Sequence, residues 1–403
     1  MNRFLKKLGP GLIFAGAAIG VSHLVQSTRA GADFGLGLVW ALLLINLIKY
    51  PFFQFGPRYA AATGNSLLVG YKRLGKGVLI AYIGLTLLTM FTIQTAVTIV
   101  TAGIAVYLFG DMASISLWSV IITLLCASIL IIGKYHFLDK AMKFIILLLT
   151  VSTVLAVGFA FGESTTVLSL QQIIPNNALE IGFLIAFMGW MPAPLDISIW
   201  HSLWTREKQK TEERHTKNSL FDFDIGFVGT VFLGLCFMLL GGLVMFGSGT
   251  SFSSSGGVFA GQLVEMYTSS LGSWAYWIIG AAALTTMFST TLTTLDGSPR
   301  VMDEAISLLR NKPANLGYSL WLVVLVTGTI IILFFFTNEM GLLVQVATVV
   351  SFLTAPFYAI CNYLSMTSAE VPEQDQPGRG LRLLSLISIL LLIAFSFWYL
   401  TTL

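Results

Sequence analysis

Gly20-Val21-Ser22-His23 and Met191-Pro192-Ala193-Pro194-Leu195 interrupt two apolar segments of membrane length at about the same depth. Glycine and proline each weaken a helix, and in lipid every backbone group they free must find a partner inside the protein. Two broken spans in corresponding positions of two halves point to a substrate site in a secondary transporter. The stretches between them support that placement. The chain has 403 residues, of which 56% are hydrophobic and 10% charged. Repeated runs of about twenty apolar residues match the bilayer core, which predicts an all-α integral membrane protein.

Eleven spans are predicted, at 10–31, 36–62, 78–108, 113–133, 141–162, 181–204, 220–247, 271–296, 315–336, 340–366 and 381–402. With the amino terminus in the cytoplasm, 19 of the 22 Lys and Arg fall in cytoplasmic segments and none in an external loop. That asymmetry supports the topology and puts the carboxyl terminus outside, in a multi-pass protein of the cell membrane. The whole chain, 1–403, reads as one transporter domain. Its first repeat is 10–162, its second 181–366, and 381–402 is an additional helix. Five helices per repeat invert the second relative to the first. No cleaved leader is expected, because the first span carries polar residues and lacks a small-residue cleavage site. The external connection 248–270, rich in Ser and Gly at 247–257, reads as a flexible connector, with a vestibule cover as the alternative.

Several residue classes are excluded from chemistry. Cys126, Cys236 and Cys361 are scattered and odd in number, giving neither metal-ligand spacing nor a disulfide framework. His-Glu-x-x-His and Gly-x-Ser-x-Gly signatures are absent, so no enzyme is expected. No cofactor and no nucleic-acid partner are implied. The expected partners are a small inorganic ion and the bilayer, and the sequence is compatible with a monomer.

Gly9-Pro10-Gly11, the span ending Ala30-Gly31-Ala32-Asp33-Phe34-Gly35, the opening Leu38-Val39-Trp40-Ala41-Leu42-Leu43 and Met191-Pro192 together resemble the Nramp family of divalent-metal transporters. The resemblance covers the order and lengths of all eleven helices, with its specific motifs in helices 1, 2 and 6. It implies the leucine-transporter-like fold, with alternating access around a midplane site between helices 1 and 6. The family's metal-site motif Asp-Pro-Gly-Asn is replaced by Gly20, Val21, Ser22 and His23. Met191 matches the family's sixth-helix Met, whereas Ala193 stands at its His. Helix 3 has no carboxylate between Gly77 and Phe109.

The substrate-binding candidates are therefore Gly20, Val21, Ser22, His23, Trp190, Met191, Pro192 and Ala193. None supplies a formal negative charge, which a dehydrated divalent cation favours. Lys49 sits mid-span in helix 2, where an ionisable residue costs at least about 2.5–3.5 kcal/mol and marks a functional candidate. Asp196 reads either as its ion-pair partner, the favoured account, or as a metal ligand. These charges predict a small inorganic anion as cargo, bicarbonate first, received by helix-end N–H groups, Ser22 and His23. The alternative is a divalent metal held by Met191, Asp196 and His23. Ser289, Thr290, Thr293 and Thr294 lie where leucine-transporter-like carriers place sodium, and helix packing is the competing account. Arg29 and Arg58 are expected to snorkel toward head groups. His201 is expected to be incidental.

Overall fold

The computed structural model describes residues 9–163, 166, 168–210, 216–247, 252–253, 256–273, 276–312, 317–336 and 339–402. The basic amino-terminal residues, the side chains of 133–143 including His136, and the loop with Arg214 and His215 lie outside that description.

Helix 1 is in three pieces: α1 (Pro10–Ala18), a π-helical segment (Val21–Ser27) and α2 (Thr28–Phe34). Then come α3 (Val39–Thr63), α4 (Leu67–Leu74), α5 (Lys76–Phe109) and α6 (Ile115–Glu163). Helix 6 is split into α7 (Ala178–Trp190) and α8 (Ile197–Lys208). The remainder is α9 (Thr216–Met245), α10 (Gly256–Leu271), α11 (Tyr276–Arg310), α12 (Gly317–Phe336), α13 (Met340–Met366) and α14 (Arg379–Leu400). Among the described residues, eight helices are long and apolar enough to cross a membrane by length and composition. Ile146–Gly162 and Ala178–Trp190 are shorter apolar helices.

Three expectations are corrected. Residues 134–143, expected as a loop, are helical, so the fourth and fifth apolar segments, Ile115–Ile132 and Ile146–Gly162, are joined by helix within α6, which spans 49 residues. From Lys134 to Lys143 there is neither Gly nor Pro to stop a helix. The eighth span continues through Pro299 to Arg310, well past its expected end at 296. The connector 248–270 folds in part as α10, which buries Phe259, Ala260, Leu263 and Val264.

Glycine decides how closely the broken helices approach their neighbours. A Cβ at Gly31 would lie 2.0 Å from the Met238 carbonyl oxygen, and one at Gly241 2.2 Å from that of Thr28. Near the other end of helix 1, Gly226 meets the Gly11 carbonyl in the same way, at 2.2 Å. Both α1 and α2 therefore lie backbone against backbone on α9. The Asp222 carboxylate of α9 adds two 2.9 Å hydrogen bonds, accepting from the N–H groups of Gly9 and Gly11. Helix 6 is divided differently. Gly189 of α7 packs on the Thr348 carbonyl of α13, whereas Gly56 of α3 packs on the Ser198 carbonyl of α8, each at 2.1 Å.

Candidate transport site at the two helix breaks

The helix-1 break forms because Ile19 and Gly20 leave the α-helical path, with Gly20 at φ −146°, ψ −123°. A side chain there has no room: its Cβ would lie 2.5 Å from Thr290 Oγ1. The chain resumes when the Gly20 carbonyl accepts from the N–H groups of His23 and Leu24, at 3.1 and 2.9 Å. The helix-6 break follows from Pro192 and Pro194, which cannot donate backbone hydrogen bonds. It runs from Met191 to Asp196, and the chain re-forms a helix when the Asp196 carbonyl accepts from the Ile199 N–H at 2.9 Å.

Between the breaks lies a midplane cavity of about 20 Å³. Val21 and Ser22 line it from helix 1, Trp190 and Pro194 from helix 6, and Thr290 and Thr294 from α11. With Ala17, Ala18 and Ile197 completing the wall, Trp200, Ile93 and Val97 also face it. These three escaped the sequence reading because an apolar residue on a membrane helix carries no local mark of facing a cavity. Among the described residues, no carboxylate lines this space.

Ser22 and His23 are already engaged. The Ser22 hydroxyl lies 2.5 Å from the Ala18 carbonyl oxygen and 2.7 Å from His23 Nδ1. His23 Nε2 lies 2.9 Å from the Thr230 carbonyl oxygen of α9, so that nitrogen carries the donated hydrogen. In this conformation neither side chain is an open donor toward the cavity. Met191 is fully buried beside Leu42, with its sulfur over Gly234. Pro192 is buried outside the cavity lining. Trp190 donates its indole N–H to Ser351 Oγ at 2.8 Å.

Lys49 is fully buried in α3 and reaches across to the helix-6 break. Its ammonium donates to the carbonyl oxygens of Gly189 at 2.7 Å, Met188 at 2.9 Å and Ala193 at 3.1 Å. All three of its hydrogens are thus placed on acceptors that the break leaves free, at the negative end of α7. The expected Lys49–Asp196 ion pair is not formed: no salt bridge joins them among the described residues. The orphan carbonyls offered Lys49 a complete acceptor set without a carboxylate. Asp196 instead lines a narrow cleft with Thr89, Ser351, Thr354 and Tyr358. Its Oδ1 is buried without a hydrogen-bond partner. Of the alternative metal set, His23 and Met191 meet α9 at Thr230 and Gly234, whereas Asp196 lines the cleft with Thr89 and Ser351.

The hydroxyl run on α11 is read out residue by residue. Thr290 Oγ1 lies 3.2 Å from Gly16 O, 3.3 Å from Ile19 O and 3.2 Å from Thr286 O. One hydroxyl hydrogen faces three carbonyl oxygens. Ser289 donates to Thr286 O at 2.7 Å, and Thr293 to Ser289 O at 2.9 Å. Thr294 donates to Gln94 Oε1 at 2.6 Å, which ties α11 to α5.

Arg58 does not snorkel as expected. Arg58 donates to the carbonyls of Asp375 and Gln376, at 2.7 and 2.9 Å. Arg29 lies over the Phe183 ring, 5.3 Å from its centroid. Near the end of the bundle where α1 begins, Arg206 grips Glu304 through two hydrogen bonds of 2.6 and 2.7 Å. Arg300 pairs with Asp296 at 2.7 Å. The spacing of Asp296, Arg300 and Glu304 at intervals of four on one helix was the available signal for that network. His201 is buried against Phe14, with a ring separation of 5.5 Å and both nitrogens unpartnered.

Residues 11–402 match the family described as Natural resistance-associated macrophage protein-like. The chain belongs to the Nramp family. An uncharacterized protein of Pasteurella multocida is 34% identical over 401 residues, covering 96% of this chain and 90% of its own length. Among solved structures, a manganese transporter of Eremococcus coleocola superposes with a TM-score of 0.75 at 13% identity, over 97% of this chain and 85% of that one. MhsT in complex with L-phenylalanine gives 0.67 at 12% identity, over 96% of this chain and 98% of its own. At these identities the likeness is one of fold, and the fold is leucine-transporter-like. The protein is a multi-pass Nramp-family secondary transporter.

Proposed function

We propose that this Nramp-family protein carries a small monovalent oxyanion, with bicarbonate the best fit, in symport with sodium. The observation that carries the reading is the Lys49 ammonium, fixed on three carbonyls at the helix-6 break beside a cavity without a carboxylate. A fixed positive charge near the cavity repels a dication and attracts a monoanion, more strongly in a buried site than in water. The charge pattern disfavours the first cargo and favours the second.

Sodium would compensate the anion's charge. The carbonyls of Gly16, Ile19 and Thr286 converge on Thr290 Oγ1, and such an all-oxygen set suits a hard cation. Ser289 and Thr293 stand beside it on α11. Alternating access would rock the halves 10–162 and 181–366 about the two breaks. The amino terminus would be cytoplasmic and the carboxyl terminus external, following the distribution of Lys and Arg.

Divalent-metal transport is the second reading. Family membership favours it, as does the approach of both His23 and Met191 to α9, at Thr230 and Gly234 four residues apart. Asp196 would then have to join them during the cycle. Proteoliposomes separate the two: Mn²⁺ uptake by a quenched dye and bicarbonate uptake by an internal pH probe, each with and without a sodium gradient. Protein-free vesicles control for CO₂ diffusion. Sodium-dependent bicarbonate flux without Mn²⁺ uptake is the expected result. Mn²⁺ uptake that Asp196→Asn abolishes would overturn the anion reading.

A further inference from the structure

The two ends of the bundle are unequally filled. One is hollowed by a cavity of about 390 Å³ between α2, α7 and α13. At the other, where α1 begins, α8 and α11 are packed together by aromatic rings. Trp200 and Trp204 of α8 are buried edge to face, 6.2 Å between ring centroids, and a Cβ at Gly297 of α11 would lie 2.4 Å from the Trp200 ring.

Polar side chains close the same seam. The Arg206 guanidinium of α8 donates to both carboxylate oxygens of Glu304 on α11, at 2.6 and 2.7 Å. Ser66, just before α4, donates to the same Glu304 at 3.0 Å, and the Leu67 N–H donates to Ser202 Oγ of α8 at 3.0 Å. Trp204 donates its indole N–H to Asp296 Oδ2 at 3.3 Å, an oxygen that also accepts from Arg300 at 2.7 Å. Tyr318 donates to the other Asp296 oxygen at 3.0 Å. Arg300 is thus engaged within α11, and among the described residues the ion pair that crosses from α8 to α11 is Arg206–Glu304. Its side chains are 33% and 19% exposed, so this forked contact is screened less than an open surface pair. A fork of two parallel hydrogen bonds is lost as a unit when the two helices part.

We infer that Arg206–Glu304 is a latch that holds this end of the carrier shut while the other end stands open. Its release lets α8, which follows the proline break, part from α11 as the cavity at the far end closes. The inference rests on alternating access and on no choice of cargo, so it and the anion reading fail in different assays.

The test is the rate at which a charged methanethiosulfonate modifies the full-length protein in detergent, with the three native cysteines replaced by alanine and one reporter cysteine added. Val301→Cys reports the shut end: Val301 is 0% exposed and shares the α11 face of Gly297 and Glu304. Gly182→Cys reports the open cavity that it lines, where a Cβ meets only Gln345 Nε2, at 3.9 Å. Glu304→Gln and Arg206→Gln should each speed modification at 301 about ten-fold and slow it about three-fold at 182, because one population shift governs both ends. The double variant should match either single one, since both break the same contact. A merely structural brace would loosen 301 and leave 182 unchanged. That result, unchanged rates at both reporters in folded variants, or additive effects in the double variant would overturn the proposal.

Discussion

The two helix breaks are built on opposite plans. At helix 1, the pieces on either side of Gly20 are both pressed onto one partner, α9, through glycines at 11, 226, 31 and 241. At helix 6, α7 is pressed onto α13 and α8 onto α3. The first break is bridged by a neighbour that spans it. At the second, the Lys49 ammonium bonds Gly189 at the end of α7 and Ala193 within the gap, while Asn362 of α13, the helix on which α7 packs, donates to Ser198 Oγ of α8 at 2.8 Å. A glycine gap can be closed by the chain's own hydrogen bonds, whereas a proline gap leaves carbonyls that something else must satisfy. Relative motion is therefore expected at residues 191–196 rather than at 20–23.

The strongest way to break this comparison is Lys49→Leu. With the donor gone, three buried carbonyls lose their hydrogen bonds, and the expected loss is about 3–5 kcal/mol. A detergent melting experiment reads it, and a loss below about 1 kcal/mol would mean that the proline break stands without the lysine. Gly20→Ala tests the other plan. Forcing a Cβ within 2.5 Å of Thr290 Oγ1 should cost about 1–3 kcal/mol. Adding Thr290→Ala should restore most of that stability while sodium stimulation of flux, measured against choline, stays lost.

Two smaller changes sharpen the contrast. Trp190→Phe removes the hydrogen bond to Ser351 that ties the end of α7 to α13, and about 1 kcal/mol of stability should go with it. Asp196→Asn replaces a buried carboxyl that has an unpartnered oxygen and, among the described residues, no direct salt bridge. It should leave stability unchanged or raise it by up to about 1 kcal/mol. A clear loss of stability there would indicate a partner that forms outside this conformation.

The breaks were legible because Gly20, Pro192 and Pro194 act on the backbone locally, and a local rule needs no knowledge of the neighbours. The eleven-span pattern was legible for the same reason, apart from α6, where Lys134 to Lys143 read as a charged turn although its residues favour a helix. What escaped depended on distance in space. Lys49 stood out as costly, but its partners are backbone carbonyls 139–144 positions away, and carbonyls have no letter in a sequence. A carboxylate such as Asp196 does, which is why it was favoured as the partner. Trp200 and Val97 line the midplane through their rotation on the helix, a property that uniform hydrophobicity conceals. Arg58 found its acceptors in a loop more than 300 residues onward.

The midplane cavity has a consequence for leakage. At about 20 Å³ it has room for about one water molecule. A carrier that returns empty with its chamber shut down to that volume offers no continuous water file across the membrane, and so no slip of protons or small solutes between cycles. Trp190 and Trp200 would then act as stoppers: enlarging the chamber at either indole should show up first as an uncoupled current, before any change in what the protein prefers to carry.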